Sequence, residues 1–253
     1  MKCPRTPLLW KLTWGAPMSD PKLTLKIENL AAFYGETRAL HGVSLEVREG
    51  EIVCLLGRNG AGKTSILRSI MGIQVRREGS IKINGVESAK LTSDGCAKLG
   101  AAYCPEERGI YSSLTTKENL LLPPVLKPGG LSVAEIYALF PNLKARENSI
   151  GTQLSGGEQQ MLAMGRILRT GAKFLLLDEC TEGLAPVIVK RIGETIRGLR
   201  ERGFTVLMVE QNFRFASKLA DRFYVIEEGH VVDEFSRQAI EKDPSRVEAL
   251  LGV

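Results

Sequence analysis

The stretch "EIVCLLGRNGAGKT", Glu51 to Thr64, joins an apolar run to a glycine-rich loop that ends in Lys63 and Thr64. Consecutive apolar residues in "IVCLL" are typical of a strand that is buried on both faces. The loop "GRNGAGKT" fits the pattern G-x-x-x-x-G-K-[ST], and "KTSILRSIMG" after it has helical spacing with Gly72 as a stop. The stretch therefore predicts a strand, a phosphate-binding loop and a helix in succession.

The residue types in this loop suit a bound polyphosphate. Glycines let the backbone wrap closely around the anion, so that its N–H groups and the helix start point at the phosphates. Lys63 is expected to reach the β- and γ-phosphates, and Thr64 to place its hydroxyl on Mg²⁺. Average residue usage puts a chance match in a chain of this length at roughly 1 in 100. The predicted nucleotide contacts are Gly57, Arg58, Asn59, Gly60, Ala61, Gly62, Lys63, Thr64 and Ser65.

A second apolar run, "FLLLDE", ends in two adjacent carboxylates, Asp178 and Glu179. Taken alone, such a pair most often caps a helix or faces water. Beside a phosphate loop, an apolar strand that ends in Asp predicts a second contact to the metal. We expect Asp178 to hold Mg²⁺ through water and Glu179 to polarise the attacking water. GTPases and small-molecule kinases share this much, so another motif has to decide among them.

That motif is "LSGGEQQ", Leu154 to Gln160, which precedes a run with helical spacing of apolar residues. A serine N-cap on a surface helix is the ordinary interpretation. A Ser-Gly-Gly helix start can also bind an anion through its free N–H groups and the helix dipole. The chain would then have two phosphate-binding helix starts but one lysine of the Lys63 type. We therefore expect a head-to-tail dimer in which each ATP lies between one subunit's phosphate loop and the other subunit's Ser155, Gly156, Gly157 and Glu158.

The motifs "GRNGAGKT", "LSGGEQQ" and "FLLLDE" together resemble those of the ATP-binding cassette (ABC) ATPases, and the resemblance covers about Leu23 to Val253. In that family two subunits close on two ATP molecules, and hydrolysis reopens them. By position, the resemblance implies that Tyr34 stacks on adenine, although a core tyrosine at a strand end is the alternative. It also implies that Glu182 to Ala185 form a dimer-contact loop after the catalytic carboxylate.

Three positions depart from the common pattern of the family. Glu106 stands where a glutamine is frequent, Gln211 where a histidine is frequent, and Cys180 where proline is usual. A glutamine cannot take up a proton, but it can hydrogen-bond a γ-phosphate. We predict Glu179 and Gln211 as catalytic residues and Glu106 as a nucleotide contact. Loss of the proline frees one N–H and relaxes φ, and we interpret Cys180 as a small apolar replacement, not as a catalytic thiol.

The segments "PEERGIYSSLTTKENL" from Pro105, "TEGLAPVIV" from Thr181 and "VEQN" from Val209 resemble the ATPases of branched-chain (hydrophobic) amino-acid importers. They are similar to the second of the two ATPases that such importers use. ATPases of related urea and short-amide importers are the alternative. This resemblance implies permease subunits that bind a groove lined by Tyr103 to Asn119. It further implies a second ATP-binding subunit (identical or not), an indirect solute-binding protein, and a peripheral place on the cytoplasmic face of the cell membrane.

Two functions from other classes fit the sequence less well. A soluble cassette ATPase that acts in DNA repair or on the ribosome usually has a long coiled-coil insertion or two cassettes in one chain. A phosphate-loop kinase or GTPase leaves "LSGGEQQ" unexplained, and the guanine-reading pattern Asn/Thr-Lys-x-Asp does not occur. The sequence therefore favours a transporter ATPase.

The pattern along the chain predicts an α/β fold built on a phosphate-loop NTPase core with a mostly parallel sheet, because strands and helices alternate after Gly157. Alternation in "KLTLKIENL" and an Asn-Gly turn in "EGSIKINGV" predict an antiparallel β-subdomain near the N-terminus. Proline and glycine interruptions after Glu107 predict an inserted helical lobe, about residues 107–170. Residues 21–253 would form the cassette domain. We expect residues 1–20 to be a flexible extension, or Met18 to be the working start.

Composition and charge exclude several classes of protein. The net charge of the 253 residues is +5, and three of these charges come from Lys2, Arg5 and Lys11, which leaves +2. That balance is too mild to indicate nucleic-acid binding. No apolar run approaches the ~20 residues that span a bilayer, so the chain is not itself expected to be a membrane channel.

The cysteines and histidines do not form a metal-binding pattern. The five cysteines are scattered without a Cys-x-x-Cys, which argues against structural zinc and suits a reducing cytosol. The two histidines, His41 and His230, are far apart in the sequence. We interpret each as a packing or surface residue.

Overall fold

The computed structural model describes residues 22–243, which form two sheets and the helices around them. The strands are β1 Leu23–Tyr34, β2 Thr37–Arg48, β3 Ile52–Leu56, β4 Arg76–Ile83, β5 Val86–Glu87, β6 Ala101–Cys104, β7 Phe174–Asp178, β8 Thr205–Val209, β9 Arg222–Glu227 and β10 His230–Ser236. The helices are α1 Lys63–Met71, α2 Ser93–Lys98, α3 Thr116–Leu121, α4 Val133–Leu139, α5 Pro141–Ala145, α6 Gly156–Arg169, α7 Pro186–Glu201, α8 Phe213–Ser217 and α9 Arg237–Lys242. The predicted extension, residues 1–20 with Met18, lies outside the described residues.

The smaller sheet is antiparallel and has the strand order β2-β1-β4-β5. The predicted Asn-Gly hairpin joins β4 to β5, with Asn84 at φ 51° and Gly85 at φ 79°, as a two-residue hairpin turn requires. Strand β1 is longer than "KLTLKIENL" indicates, since it pairs with β2 as far as Tyr34 and Thr37. The additional pairs carry Tyr34 to the far end of this sheet.

The larger sheet has the order β10-β9-β3-β8-β7-β6, and only β10 pairs antiparallel among these described strands. This confirms the mostly parallel core. Strands β2 and β3 lie on either side of the turn "REGE" as predicted, but they belong to different sheets. The carboxyl ends of β3, β7 and β8 meet at one edge of the larger sheet, which is where ligands bind in open parallel sheets.

The core lies on both faces of the larger sheet. Alternate residues of β3 enter two clusters: Ile52, Cys54 and Leu56 pack on one side, whereas Val53 and Leu55 pack on the other. Strands β3, β7 and β8 are buried along their whole length, which explains why their sequences are unbroken apolar runs and do not alternate. A fully buried strand is a rigid support for the residue that follows it.

Between β6 and β7 the chain forms helices α3 to α6 and no strand among these described residues. Three of them begin with a capping box, in which Thr115, Ser132 or Ser155 bonds the backbone three residues later and a glutamate returns the bond. These sequence signals fix the helix starts. Within the described range, no helix has the length and apolar character needed to cross a bilayer.

Candidate nucleotide site

The predicted phosphate loop connects β3 to α1 at the carboxyl edge of the larger sheet. Gly57 has φ 148°, and a Cβ there would lie 2.2 Å from the carbonyl oxygen of Ile226. Gly62 has φ 106°, and its Cβ would lie 2.9 Å from Leu40. Both positions need glycine because the loop turns tightly against β9 and β2. The loop is thus held in shape by its neighbours.

Lys63 extends back across this loop. Its Nζ atom donates to the carbonyl oxygens of Gly57 at 2.8 Å and Arg58 at 3.0 Å, and the side chain is 4% exposed. The same Nζ lies 3.7 Å from Oε1 of Glu179. The charged end of Lys63 is therefore held inside the loop, where the pattern predicts phosphate oxygens.

Asp178 ends β7 and is fully buried. Its Oδ1 accepts a hydrogen bond from Thr64 Oγ1 at 3.0 Å, and its Oδ2 accepts one from Tyr103 at 2.7 Å. Burial raises the pKa of Asp178, against the hydrogen bonds, which lower it. A hydroxyl and a carboxylate that converge in this way are the hard oxygen donors that Mg²⁺ prefers. Thr64 and Asp178 thus fit the predicted metal role.

The two predicted catalytic residues are in contact. Gln211 Nε2 donates to Oε2 of Glu179 at 2.8 Å, since these residues follow the neighbouring strands β8 and β7. Glu179 has φ 43°, a left-handed conformation that is strained for a residue other than glycine. Its own N–H donates to the carbonyl of Val209 at 3.0 Å. The strand ends hold the carboxylate of Glu179 beside the phosphate loop.

An open cleft of ≈ 550 Å³ lies in front of the loop. Its lining includes eight of the predicted site residues: Asn59, Gly60, Gly62, Lys63, Thr64, Ser65, Glu106 and Glu179. One carboxylate oxygen from each of Glu106, Glu179 and Glu182 lies within 4.8 Å of the others. A hydrogen bond to Glu179, together with burial, raises the pKa of Glu182 to about 6. The three carboxyl groups thus form one cluster in the cleft, and Glu179 is the member that lies 3.7 Å from Lys63.

Tyr34 lies beside this cleft. Its hydroxyl is 3.3 Å from Oγ of Ser65 in the first turn of α1, and its ring is partly buried. The contact fixes the ring next to the phosphate loop. Stacking of Tyr34 on adenine stays a prediction.

The "LSGGEQQ" residues form the start of α6 and are not part of the cleft lining. Ser155 is the N-cap, and Oε2 of Glu158 accepts from both its N–H and its hydroxyl at 2.8 Å. A Cβ on Gly157 would lie 3.0 Å from Ile188, and one on Gly156 would lie 3.1 Å from Arg108. Both glycines therefore allow close approach of neighbouring groups. Their contact with a second subunit's ATP stays a prediction.

The structure brings His41 and His230 together, which no motif in the sequence predicts. Their rings stack with centroids 5.0 Å apart, and His41 lines the cleft. The turn between β9 and β10 makes the contact possible: the N–H of His41 donates to the carbonyl of Gly229, and the N–H of Gly229 donates to the carbonyl of Ala61. One turn is thus bonded to both the smaller sheet and the phosphate loop.

Cys180 is buried in the core directly after Glu179. Burial raises the pKa of its thiol, so the residue is neutral at physiological pH. A neutral, buried thiol is a poor nucleophile, which supports the interpretation of Cys180 as a structural residue. Its Sγ also lies 3.5 Å from Oε1 of Glu210, a polar contact that an apolar replacement would not make.

Two residues at this edge, Tyr103 and Glu210, were not predicted as part of the nucleotide site. Each lies at or directly after the carboxyl end of a strand, β6 or β8, that neighbours β7 in the sheet. The shared edge of parallel strands was the signal that could have found them.

The sequence profile of the ABC transporter family matches residues 40–182. Over 231 residues the chain is 42% identical to BraG of Pseudomonas aeruginosa, described as a high-affinity branched-chain amino acid transport ATP-binding protein. That match covers 90% of this chain and 99% of BraG. The chain belongs to the ABC transporter family. It is an ATP-hydrolysing transporter ATPase.

Other ABC proteins are similar to the same region. The chain is 35% identical over 216 residues to LptB of Escherichia coli, the lipopolysaccharide export system ATP-binding protein, with 83% of this chain and 89% of LptB covered. The fold matches an ATP-binding subunit of an ABC transporter with a TM-score of 0.72 at 28% identity, over 91% of this chain and 95% of the other. It matches the dimeric cassette MJ0796 with a TM-score of 0.74 at 26% identity, over 84% and 98%. BraG and LptB differ in what they transport.

Proposed function

We propose that this ABC ATPase powers an importer of branched-chain amino acids, with ATP bound between the phosphate loop of one subunit and the "LSGGEQQ" helix start of another. One observation carries the hydrolytic site: Lys63, Asp178, Glu179 and Gln211 converge at one edge of the larger sheet. They come from the ends of β3, β7 and β8, which are far apart in the chain. Convergence of this kind is expected of a reaction centre.

Each residue has a role that its contacts support. The phosphate loop and Lys63 bind the phosphates, with Lys63 exchanging its carbonyl contacts for phosphate oxygens. Thr64 and Asp178 would hold Mg²⁺, which neutralises phosphate charge when bound. Glu179 orients and polarises the attacking water. Gln211 fixes the Glu179 carboxylate and can hydrogen-bond the γ-phosphate, and Glu106 extends into the same cleft.

A second ATP-binding subunit completes the site. Ser155 to Glu158 are absent from the lining of the cleft, so these residues reach ATP only from another chain, identical or not. The dimeric structure of the MJ0796 cassette supports such an arrangement. The predicted dimer-contact loop, Glu182 to Ala185, follows the catalytic carboxylate, and its first residue lines the cleft.

A permease binds the groove beside β6 in this proposal. A cleft of ≈ 470 Å³ lies there, and Tyr103, Pro105 and Leu126 are part of its mainly apolar lining. Exposed Tyr111 and Val125 extend the apolar surface. Large exposed apolar patches mark interaction sites. The cassette would then be peripheral on the cytoplasmic face of the membrane, with the helical lobe of about residues 107–170 next to the permease.

The transported solute is inferred from the relatives. BraG serves branched-chain amino acids, and its 42% identity over 99% of its length favours that class over urea and short amides. A solute-binding protein would contact the permease and not this chain. LptB serves lipopolysaccharide export and is 35% identical to this chain, so export is the competing function that the experiment has to distinguish from import.

The test is to copurify the chain with its permease subunits, reconstitute the complex in liposomes with the solute-binding protein, and measure ATP hydrolysis. Leucine, isoleucine and valine should stimulate hydrolysis, whereas urea, short amides and lipopolysaccharide should not. Stimulation by urea or acetamide alone would move the assignment to amide import. A Lys63→Ala complex, tested in parallel, shows how much of the signal this site produces.

A further inference from the structure

Glu210 is a buried carboxyl group at the end of β8 that the hydrolytic mechanism above does not use. It is 2% exposed. Its Oε2 accepts a hydrogen bond from Thr181 Oγ1 at 2.8 Å, and its Oε1 accepts one from Cys180 Sγ at 3.5 Å. No Lys, Arg or His pairs with it among residues 22–243. A carboxyl group is costly to bury without a cation, so its contacts call for a function.

Both partners of Glu210 belong to the loop that begins at Glu179. That loop is strained at its first residue, because Glu179 has φ 43°. Glu210 holds the two residues after Glu179, and its neighbour Gln211 holds the Glu179 side chain at 2.8 Å. Successive residues of one strand end therefore fix the backbone and the carboxylate of the same loop.

We propose that Glu210 is a positioning residue for ATP hydrolysis, which anchors the Cys180–Thr181 segment and so fixes the carboxylate of Glu179 towards the phosphate loop. The inference rests on the role proposed above for Glu179. Proline at position 180 would stiffen this loop through the backbone. In this chain the stiffness comes from side-chain contacts to a buried carboxyl group. A strained conformation persists only when its surroundings over-determine it, and Glu210 supplies that restraint.

The charge of Glu210 gives this role a pH signature. Burial raises the pKa of Glu210 to about 7, against the hydrogen bonds from Thr181 and Cys180, which lower it. The titratable groups that face it are Cys54 on β3, Cys180 and, through the field of their charges, Glu179 and Glu182. The ionised form accepts from both donors and anchors the loop more firmly, because a charged acceptor makes the stronger hydrogen bond. We expect kcat to rise with pH through about 7.

The experiment measures kcat and KM for ATP hydrolysis between about pH 6 and pH 8.5, with the full chain in complex with its permease. Glu210→Ala should lower kcat about tenfold and leave KM within about threefold, because a positioning residue acts on the reacting geometry and not on binding. Glu210→Gln should restore most of the activity at pH 7, since its amide oxygen still accepts from Thr181. It should also lose the rise in kcat near pH 7.

Thr181→Val tests whether Glu210 acts through the loop. It should lower kcat by a smaller factor, and adding it to Glu210→Ala should lower kcat no further, because the two residues share one contact. Thr195→Val is the matched control: this buried hydroxyl donates to the Arg191 carbonyl within α7 and not to Glu210, and kcat should be unchanged.

Three results would overturn the role of Glu210. The Glu210→Ala variant could keep the wild-type kcat, or the losses in kcat from Glu210→Ala and Thr181→Val could multiply in the double variant. The Glu210→Gln variant could also keep the rise in kcat with pH. If Glu210→Ala does not fold, the Gln and Thr181→Val variants decide. Glu179→Gln separates the two proposals. Normal hydrolysis by the Glu179→Gln variant would contradict the role proposed for Glu179. If that variant loses hydrolysis and the Glu210→Ala variant hydrolyses ATP normally, only the role of Glu210 is contradicted.

Discussion

The helix starts of α1 and α6 both present backbone N–H groups, but they differ in how those groups are capped and charged. At α1 the N-cap is Gly62, which has no side chain to cap the helix, and Lys63 adds a positive charge. At α6 the N-cap Ser155 bonds the N–H of Glu158, and Glu158 adds a negative charge to the first turn. The α1 start is therefore open to an anion, whereas at the α6 start the side chain of Ser155 already accepts from the N–H of Glu158.

This difference explains why the two sites are not equivalent. At α1, Lys63 and the open N–H groups together offset the negative charge of a triphosphate. At α6 it would gain hydrogen bonds from Ser155 and the glycines against the charge of Glu158. The α6 start therefore suits a phosphate that another subunit already holds, and each prediction below changes one side of this comparison.

Lys63→Ala should have the largest effect, because it removes the positive charge from the α1 start. We expect ATP hydrolysis to fall at least about 100-fold through loss of phosphate stabilisation. The rate of phosphate release by the purified complex measures this. Lys26→Ala is the control, since Lys26 lies on β1 of the smaller sheet and pairs there with Glu28 and Glu46. Normal hydrolysis in Lys63→Ala would contradict the site.

Glu179→Gln should trap ATP without hydrolysing it, and size-exclusion chromatography should then show a dimer that depends on ATP. Adding Ser155→Arg should abolish that dimer, because the larger cationic side chain disrupts the α6 start and its cap. Each chain would still bind a fluorescent ATP analogue, since the phosphate loop is untouched. A double variant that still dimerises with ATP would contradict the shared site.

Tyr34→Ala should weaken ATP binding by about tenfold, the effect expected for loss of one base–aromatic stack. The kcat should change little, because the predicted role of Tyr34 is to bind the base and not the reacting phosphates. Tyr34→Phe is the control: it removes the hydroxyl contact to Ser65 and keeps the ring. Titration with a fluorescent nucleotide measures the affinity of each variant for ATP. Equal losses in the Ala and Phe variants would mean that the hydroxyl, and not the ring, supports binding.

The smallest expected effect is on the stability of the fold, and it concerns the buried carboxyl group of Glu210, on the α1 side of the comparison. The pKa of Glu210 is about 7 in the folded protein, above its ordinary value of 4.5, so the folded chain binds the additional proton. Its contribution to stability is complete below pH 4.5 and is lost as pH rises through about 7. We expect a loss on the order of 1–3 kcal/mol. Urea unfolding at both ends of this range should show a smaller loss in Glu210→Gln.

Much of the fold could be predicted because its signals are local. The apolar runs of β3, β7 and β8, the Gly72 stop of α1 and the Asn84-Gly85 turn each specify their own element. The separation of β2 and β3 into different sheets could not be predicted, since the turn between them fits a hairpin equally well. Strand order depends on contacts between residues distant in the chain.

The site shows the same division. The phosphate loop, Asp178 and Glu179 carry motifs, so their positions follow from the sequence. Tyr103 and Glu210 carry none, because their roles arise only where parallel strand ends meet. The His41–His230 stack likewise depends on how β10 lies against β2.

The turn at Gly229 gives this ATPase an internal reporter. Its N–H donates to the carbonyl of Ala61 in the phosphate loop at 2.9 Å, and its carbonyl accepts from His41 in the smaller sheet at 2.9 Å. Amide hydrogens exchange with solvent only when such bonds open. Deuterium uptake at Gly229 and His41 would therefore record how tightly the loop is ordered, without any label placed in the nucleotide cleft.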